Sequence, residues 1–422
     1  MSTEAGLASG DLRRDLKVVG LVGTGHFFAH FYVLVLPPLF PLLAGELQVS
    51  YLALGSLLTV ANLTTSCFQV PVGFLVDRYG PRRILVSGLL AMSTAVVLAG
   101  YAPGYAALMA TMVLLGAGNS VFHPADYAVM AAQIAPRRLG RAFSLHTFAG
   151  HLGWSLAPAT IMVLTALVSW RFALVVVGLA GLGAAFVIWW QGALLESPSP
   201  APDAERGQPA PATTAASPRR GIALLLTAPM LLMFLYMVLS AVASNGLNGF
   251  TVVALVSGYD LPLASANLAL TLLLVAGALG VLLGGQLADW TRRHELVLVA
   301  GFLLAAAALC LAGGLLTSFL PLAGAIALAG LMLGAIRPSR DMMVRKAAPA
   351  GSFGKVFGFV TMGMNLGGAL SPLLFGWVID QGSGPMVFIL AAGAMLLALL
   401  AALAANGAIG AAQKTPSPVR AP

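Results

Sequence analysis

Charge is scarce in this chain: of 422 residues only 9% are Asp, Glu, Lys or Arg, against 59% hydrophobic, and the mean hydropathy is +0.93. No water-soluble globular protein needs that much apolar surface, so the composition requires a polytopic membrane protein. Cysteine is scarcer still. Cys67 and Cys310 both lie in apolar runs, which is poor ground for a disulfide framework and leaves them as packing residues. The chain lacks a Gly-rich phosphate loop ending in Lys-Ser/Thr, which argues against ATP-driven transport. It also lacks a nucleophile elbow, paired catalytic carboxylates and a zinc-protease motif, so no enzyme activity and no cofactor are expected. The N-terminus, "MSTEAGLASGDLRRDLK", has neither the apolar core nor the small-residue cleavage site of a secretory signal, so the first span is expected to be retained.

Glycine, by contrast, is abundant at 48 residues, which suits membrane helices that must approach closely. An apolar run of about 20 residues crosses a bilayer as a helix. Broken at charges, Pro and Gly clusters, the sequence predicts spans at 17–44, 51–76, 84–102, 105–133, 140–166, 170–192, 222–254, 263–288, 295–317, 320–345, 353–378 and 384–407. The expected fold is all-α, with twelve transmembrane helices in two six-helix bundles, 17–192 and 222–407. A tail at 1–16 precedes them, a Pro/Ala-rich linker at 193–221 joins them, and a disordered tail at 408–422 follows. Linker and last tail bury too little apolar surface to fold alone.

Of the 22 Lys and Arg residues, all but Arg171, Arg337 and Arg340 fall on one side of this layout. Positive charge stays cytoplasmic, so both termini and the linker are expected in the cytoplasm and the chain in the cell's inner membrane. The net charge of +8 is then topology, not a nucleic-acid signal.

The chain also repeats itself. "GFLVDRYGPRR" from Gly73 and "GQLADWTRR" from Gly285 share a Gly, an Asp four residues on, and arginines. "GRAFSLHTFAGHLGWSLAP" from Gly140 and "GKVFGFVTMGMNLGGALSP" from Gly354 match without a gap at an offset of 214 residues. A six-helix unit has been duplicated. Parallel repeats of this kind build secondary transporters, whose site lies near the midplane between the halves.

"GFLVDRYGPRRIL" resembles the signature loop of the major facilitator superfamily, between its second and third helices, and the degenerate copy at Gly285 is where that family has one too. The resemblance covers nearly the whole chain. Within the superfamily, "HFFAHFYVLVLPPLFPLLAGEL", "SCFQVPVGFLVDRYG", "GAGNSVFHPADY" and "GHLGWSLAP" are similar to the fosmidomycin-resistance-type branch, whose members are proton-driven drug exporters. That branch usually carries an acidic residue where His30 stands and directly after the His-Pro pair. Here Ala125 follows the pair, with Asp126 one position later.

In the signature loop Asp77 and Arg78 end a helix, Gly80 and Pro81 make the turn, and Arg82 and Arg83 follow. Asp77 is expected to accept hydrogen bonds from a neighbouring helix N-terminus or an arginine, clasping the cytoplasmic side shut in one state. Gly73, one turn earlier, is expected to permit close helix approach. Gly285, Asp289, Arg292 and Arg293 are the counterparts. The plainer alternative is that these are topogenic charges only.

Ionisable residues inside spans are functional candidates because their burial is costly. They are His26 and His30 on the first span, His123 and Asp126 on the fourth, His146 and His151 on the fifth, and Arg337, Arg340 and Asp341 on the tenth. Adding 214 takes His123 to Arg337, Pro124 to Pro338 and Asp126 to Arg340. The repeat therefore sets the two segments on opposite walls, roughly 20 Å of helix from the cytoplasmic Arg137 by the rise per residue. The resemblance implies a cavity lined by the first, fourth, seventh and tenth helices, adding Asn119, Asn245 and Asn248.

Arg337 and Arg340 keep their protons, so they are expected to attract an anionic substrate group or to pair with Asp126 and Asp341. Asp126 is the first candidate for a proton-coupling carboxylate, with the histidines as alternatives. His151, which matches Asn365, is expected in the cavity, and His146 as a structural residue. Pro124 and Pro338 are expected to kink their helices. His26 and His30, one turn apart, could join His123 and Asp126 on a metal, but nothing in the sequence makes the four converge and no metal is expected.

The function expected is proton-coupled efflux, by antiport, of a small drug-like or anionic organic compound. Import of an organic anion by symport or uniport is the alternative. A membrane sensor on a transporter scaffold is a third, against which the repeated loop and mid-membrane charges count. The expected partners are the substrate, protons and the lipid bilayer, with no nucleic acid, and the chain is expected to be a monomer.

Overall fold

The computed structural model describes residues 2–196, 225–291, 293–347 and 353–414. Arg292, most of the 193–221 linker and the end of the C-terminal tail lie outside the described residues. Twelve helical runs are long and apolar enough to cross a membrane, from Leu12–Leu47 to Met386–Ala408, and each overlaps a span expected from the sequence. Among the described residues there is no strand.

Local chemistry explains many helix ends. Helix α1 (Ser2–Val33) gives way before Pro37 and Pro38 to a 3-10 turn and the short α2 (Phe40–Leu47). Ser50 caps α3 (Tyr51–Tyr79), its hydroxyl accepting from the Ala53 N–H. Gly80, at φ +85°, turns the chain into α4 (Pro81–Gly100); glycine takes that angle without strain, and Pro81 has no N–H to leave unpaired at the first helical position.

The fourth span is two helices, α5 (Tyr105–Asn119) and α6 (Phe122–Gln133). The break at Ser120 and Val121 follows from Pro124, which offers no N–H to the Ser120 carbonyl and crowds it with its ring. The equivalent Pro338 lies inside one continuous helix, so the two prolines do not act alike. The remaining elements are α7 (Pro136–Leu167), α8 (Trp170–Gln191), α9 (Ala228–Tyr259), α10 (Leu263–Trp290), α11 (His294–Gly314), α12 (Phe319–Ala347), α13 (Phe353–Asp380) and α14 (Met386–Lys414).

The duplication in sequence is also a duplication in packing. In the first half α1 packs on α7, α4 on α8 and α3 on α5; in the second, α9 packs on α13, α11 on α14 and α10 on α12. Glycines let the backbones touch: a Cβ at Gly153 would fall 2.2 Å from the Phe27 carbonyl oxygen, and one at the matched Gly367 would fall 2.3 Å from that of Val238. Arg171, the one loop cation expected on the far side, is neutralised there by Glu46 at 2.7 Å.

Between the halves, α3 meets α13 and α7 meets α10. The α3–α13 seam is zipped at the end away from the chain termini. There the Asp380 carboxylate accepts from the Tyr51 and Leu52 N–H groups, at 2.8 Å each, where the helix dipole favours negative charge. Further along, Thr59 and Asn62 donate to the carbonyls of Ala369 and Gly368, at 2.8 and 2.9 Å. Among the described residues, Thr59 and Asn62 are the side chains of α3 whose bonds to α13 are seen, and the Cβ positions of Gly73 and Gly285 meet nothing within 4 Å. The halves thus splay toward the end carrying the termini, and the close approach expected at Gly73 is not made in this state.

Candidate functional site

A cavity of about 260 Å³ lies in the splay. Eight of the residues singled out in the sequence line it: His26 and His30 from α1, Asn119 from α5, His123 from α6, Asn245 and Asn248 from α9, and Arg337 and Arg340 from α12. His151 opens instead onto a smaller neighbouring pocket, which it shares with Arg337 and Asn248. Asp126 is fully buried, and Asp341 accepts from Arg340 Nε at 2.8 Å.

A polar face of α3 was missed by reading ionisable residues alone. Asn62, Thr65, Ser66 and Gln69 recur at helical spacing and line the cavity, as does Asn365 of α13. Their period along an otherwise apolar span was the available signal.

On the first wall, His26 is a hub. Its ring centroid lies 3.8 Å from that of His146, 4.3 Å from His30 and 5.8 Å from His123. Its Nδ1 stands 3.1 Å from Asp126 Oδ2, and His146 Nε2 stands 3.5 Å from the same oxygen. Gly150 of α7 makes room for this ring, because a Cβ there would fall 2.8 Å from it. Neither contact is aligned as a hydrogen bond, so both carboxylate oxygens lack a directed partner among the described residues. A buried acid left in that condition is costly and marks a functional site.

Two expectations are thereby corrected. Asp126 faces histidines rather than the arginines, because α6 turns it behind His26, away from the cavity and toward α7. His146, expected to be structural, belongs to the cluster, because the α1–α7 packing brings its ring onto His26. The donors of His26, Asp126 and His146 lie within 4.8 Å of one another. A structural zinc site takes four protein ligands, whereas three, the number grouped here, is the count of a site that leaves one position to water.

The second wall carries fixed charge. Arg337 Nη1 lies 3.0 Å from His151 Nε2, and its guanidinium lies 5.7 Å from the centre of the Trp154 ring. The Trp154 ring in turn lies 4.3 Å from that of His30. One row of side chains therefore joins the buried acid to the arginine across the halves.

The signature loop is not engaged. Asp77, Arg78, Arg83, Asp289 and Arg293 are exposed, and among the described residues no side-chain bond holds Asp77 or Asp289. Arg78 lies 5.3 Å over the Tyr79 ring. Arg82 binds Glu196 at 2.5 Å and the Trp189 carbonyl, tying α4 to the end of α8 within one half. Splayed halves leave Asp77 no cross-half partner to reach.

A family model described as the Major Facilitator Superfamily matches residues 22–312 and 238–420. The fosmidomycin resistance protein of Escherichia coli (strain K12) is 25% identical over 291 residues, covering 68% of each chain. A probable sulfoacetate transporter of Cupriavidus necator is 25% identical over 413 residues, covering 92% of this chain and 93% of its own. Among solved structures, a bacterial homologue of the human lysosomal transporter Spinster, inward-facing and unoccupied, superposes with a TM-score of 0.74 at 16% identity, covering 96% of this chain and 98% of its own. The chain therefore belongs to the Major Facilitator Superfamily and is a multi-pass membrane transporter of small organic substrates, not an enzyme.

Proposed function

We propose that this transporter moves a small organic anion through the central cavity by alternating access, coupled to protons, in the inner membrane with both termini cytoplasmic. The observation that carries this reading is the lining. Two arginines, three histidines and five asparagines face the cavity, and among the described residues no carboxylate lines it. Arg340 is paired with Asp341, but Arg337 has no carboxylate bonded to it among the described residues and is stabilised by an anion that enters. The asparagines supply neutral donors and acceptors for the rest of the substrate.

Asp126 is the group we assign to hold the coupled proton, with His26 and His146 as its exchange partners. Residues 17–192 and 222–407 are the two moving halves, and the Asp77 loop is the clasp that shuts the splayed end in the opposite state. Export in exchange for protons is the direction supported by similarity to the fosmidomycin resistance protein. Import of the anion together with a proton is a second reading, favoured by the contact between His151 and Arg337.

Reconstituted vesicles loaded with gluconate, sulfoacetate or benzoate, and with glucose as the neutral control, test the reading. An imposed pH gradient is expected to change the flux of at least one anion and not that of glucose. Flux of no anion, or of glucose equally, would contradict it.

A further inference from the structure

His151 is held from two sides. Its Nδ1 lies 2.9 Å from the Thr147 carbonyl oxygen, which only accepts, so Nδ1 carries the hydrogen. In the neutral ring Nε2 is then a lone pair, and Arg337 Nη1 donates to it at 3.0 Å. This bond crosses from α7 in one half to α12 in the other, and it occupies the guanidinium assigned above to the substrate.

We infer that His151 is the proton switch of the anion site: neutral, it occupies Arg337; protonated, it frees Arg337 and becomes a second cation beside it, so that an oxyanion and a proton bind together. The inference rests on the anion reading. In the step itself, a proton adds to the Nε2 lone pair, the Nδ1–H bond to Thr147 is kept, and the Arg337 N–H loses its acceptor. Two cations side by side then repel unless an anion lies between them.

Among the described residues the other groups that bear on Arg337 are Asp341, which Arg340 engages, and the phenol of Tyr236 on α9. Arg337 faces His151 from α12, and His30 and His26 stand on α1 across Trp154. His123, Asp126 and Tyr127 of α6 and His146 of α7 lie beyond them, with Asp126 turned to His26 and His146. Helix α10, packed along α7, brings only Leu273, Leu274 and Gly277 to this pocket, and α9 brings Ser244 and Asn248. Arg340 stands one turn from Arg337 and is paired with Asp341. An oxyanion entering the pocket is thus the available partner for both cations, whether it belongs to a carboxylate or a sulfonate.

The sign of the linkage follows. An anion that binds the protonated form more tightly draws a proton in with it, so this inference goes with the second reading above, import of the anion with a proton, and against exchange, which requires the proton to weaken substrate binding.

Calorimetric titration of the purified full chain with gluconate, sulfoacetate and benzoate, in buffers of different ionisation enthalpy between about pH 5.5 and 7.5, tests this around the histidine range. Binding is expected to tighten as pH falls, by up to about tenfold per unit, with uptake of about one proton per anion. His151→Asn should bind without proton uptake and with a flat pH profile. His151→Lys, a fixed cation, should also show no uptake while keeping affinity at the upper end of the range. Melting curves establish that each variant is folded, and His151→Gln replaces the Asn variant where that one is not. Wild-type binding without proton uptake, or uptake that persists in the neutral variants, overturns the role of His151 and leaves the anion reading standing. Binding of none of the three anions at any pH overturns that reading and this inference with it.

Discussion

Helices α6 and α12 are the same segment copied once, and they now carry different chemistry. The first reads His123, Pro124, Ala125, Asp126; the second reads Arg337, Pro338, Ser339, Arg340. On the first wall every ionisable group in the cluster can take up or release a proton, and the acid is buried away from the cavity behind His26. On the second wall both arginines face the cavity and hold their charge throughout. Even the backbone has diverged, since the span of α5 and α6 breaks ahead of Pro124 while α12 runs through Pro338. Duplication gave two matched segments, and divergence left titratable groups on one and fixed charge on the other, the division on which the proposed roles rest.

The separation can be broken from either side. Asp126→Asn should have the largest effect: pH-driven movement of the anion should fall by about a hundredfold or more, the scale at which a lost proton-transfer group is felt, while the anion still binds. Vesicle flux with and without a pH gradient measures this. Arg337→Ala should weaken anion binding by roughly ten- to a hundredfold, from loss of charge-assisted hydrogen bonds worth about 1.5–3 kcal/mol. Equilibrium binding reads that loss.

Gly150→Ala sharpens the comparison, since its Cβ would sit 2.8 Å from the His26 ring and push it off Asp126. We expect about 1–3 kcal/mol of strain and a several-fold loss of pH-driven flux, with anion affinity changed little. The smallest effect should come from Asp380→Asn at the zipped end. Removing the charge from the start of α3 should cost the splayed state about 1 kcal/mol, and spin-label distances across that end should show about a fivefold shift in population.

Much of this architecture was legible in the sequence because lipid imposes simple rules. Apolar runs marked the twelve spans, the 214-residue offset paired His123 with Arg337, and cost of burial picked out the ionisable groups. What was not legible depended on rotation and on state. The direction in which α6 turns Asp126 is set by packing against α1 and α7, and no spacing rule distinguished His146 from His151. The polar face of α3 was overlooked because uncharged side chains are cheap enough in a span to escape a search for charge. The Asp77 clasp was sought from its motif, but engagement depends on how far the halves are splayed, which residue order does not encode.

The central claim is that one wall handles the proton and the other the anion. It is tested most directly by measuring, in vesicles under a fixed pH gradient, how far an anion that binds the wild type is driven against its own gradient. The account predicts that wild type drives it uphill, that Asp126→Asn only lets it equilibrate while binding it normally, and that Arg337→Ala loses affinity for it. Uphill movement by Asp126→Asn equal to wild type, or undiminished affinity in Arg337→Ala, would contradict the division.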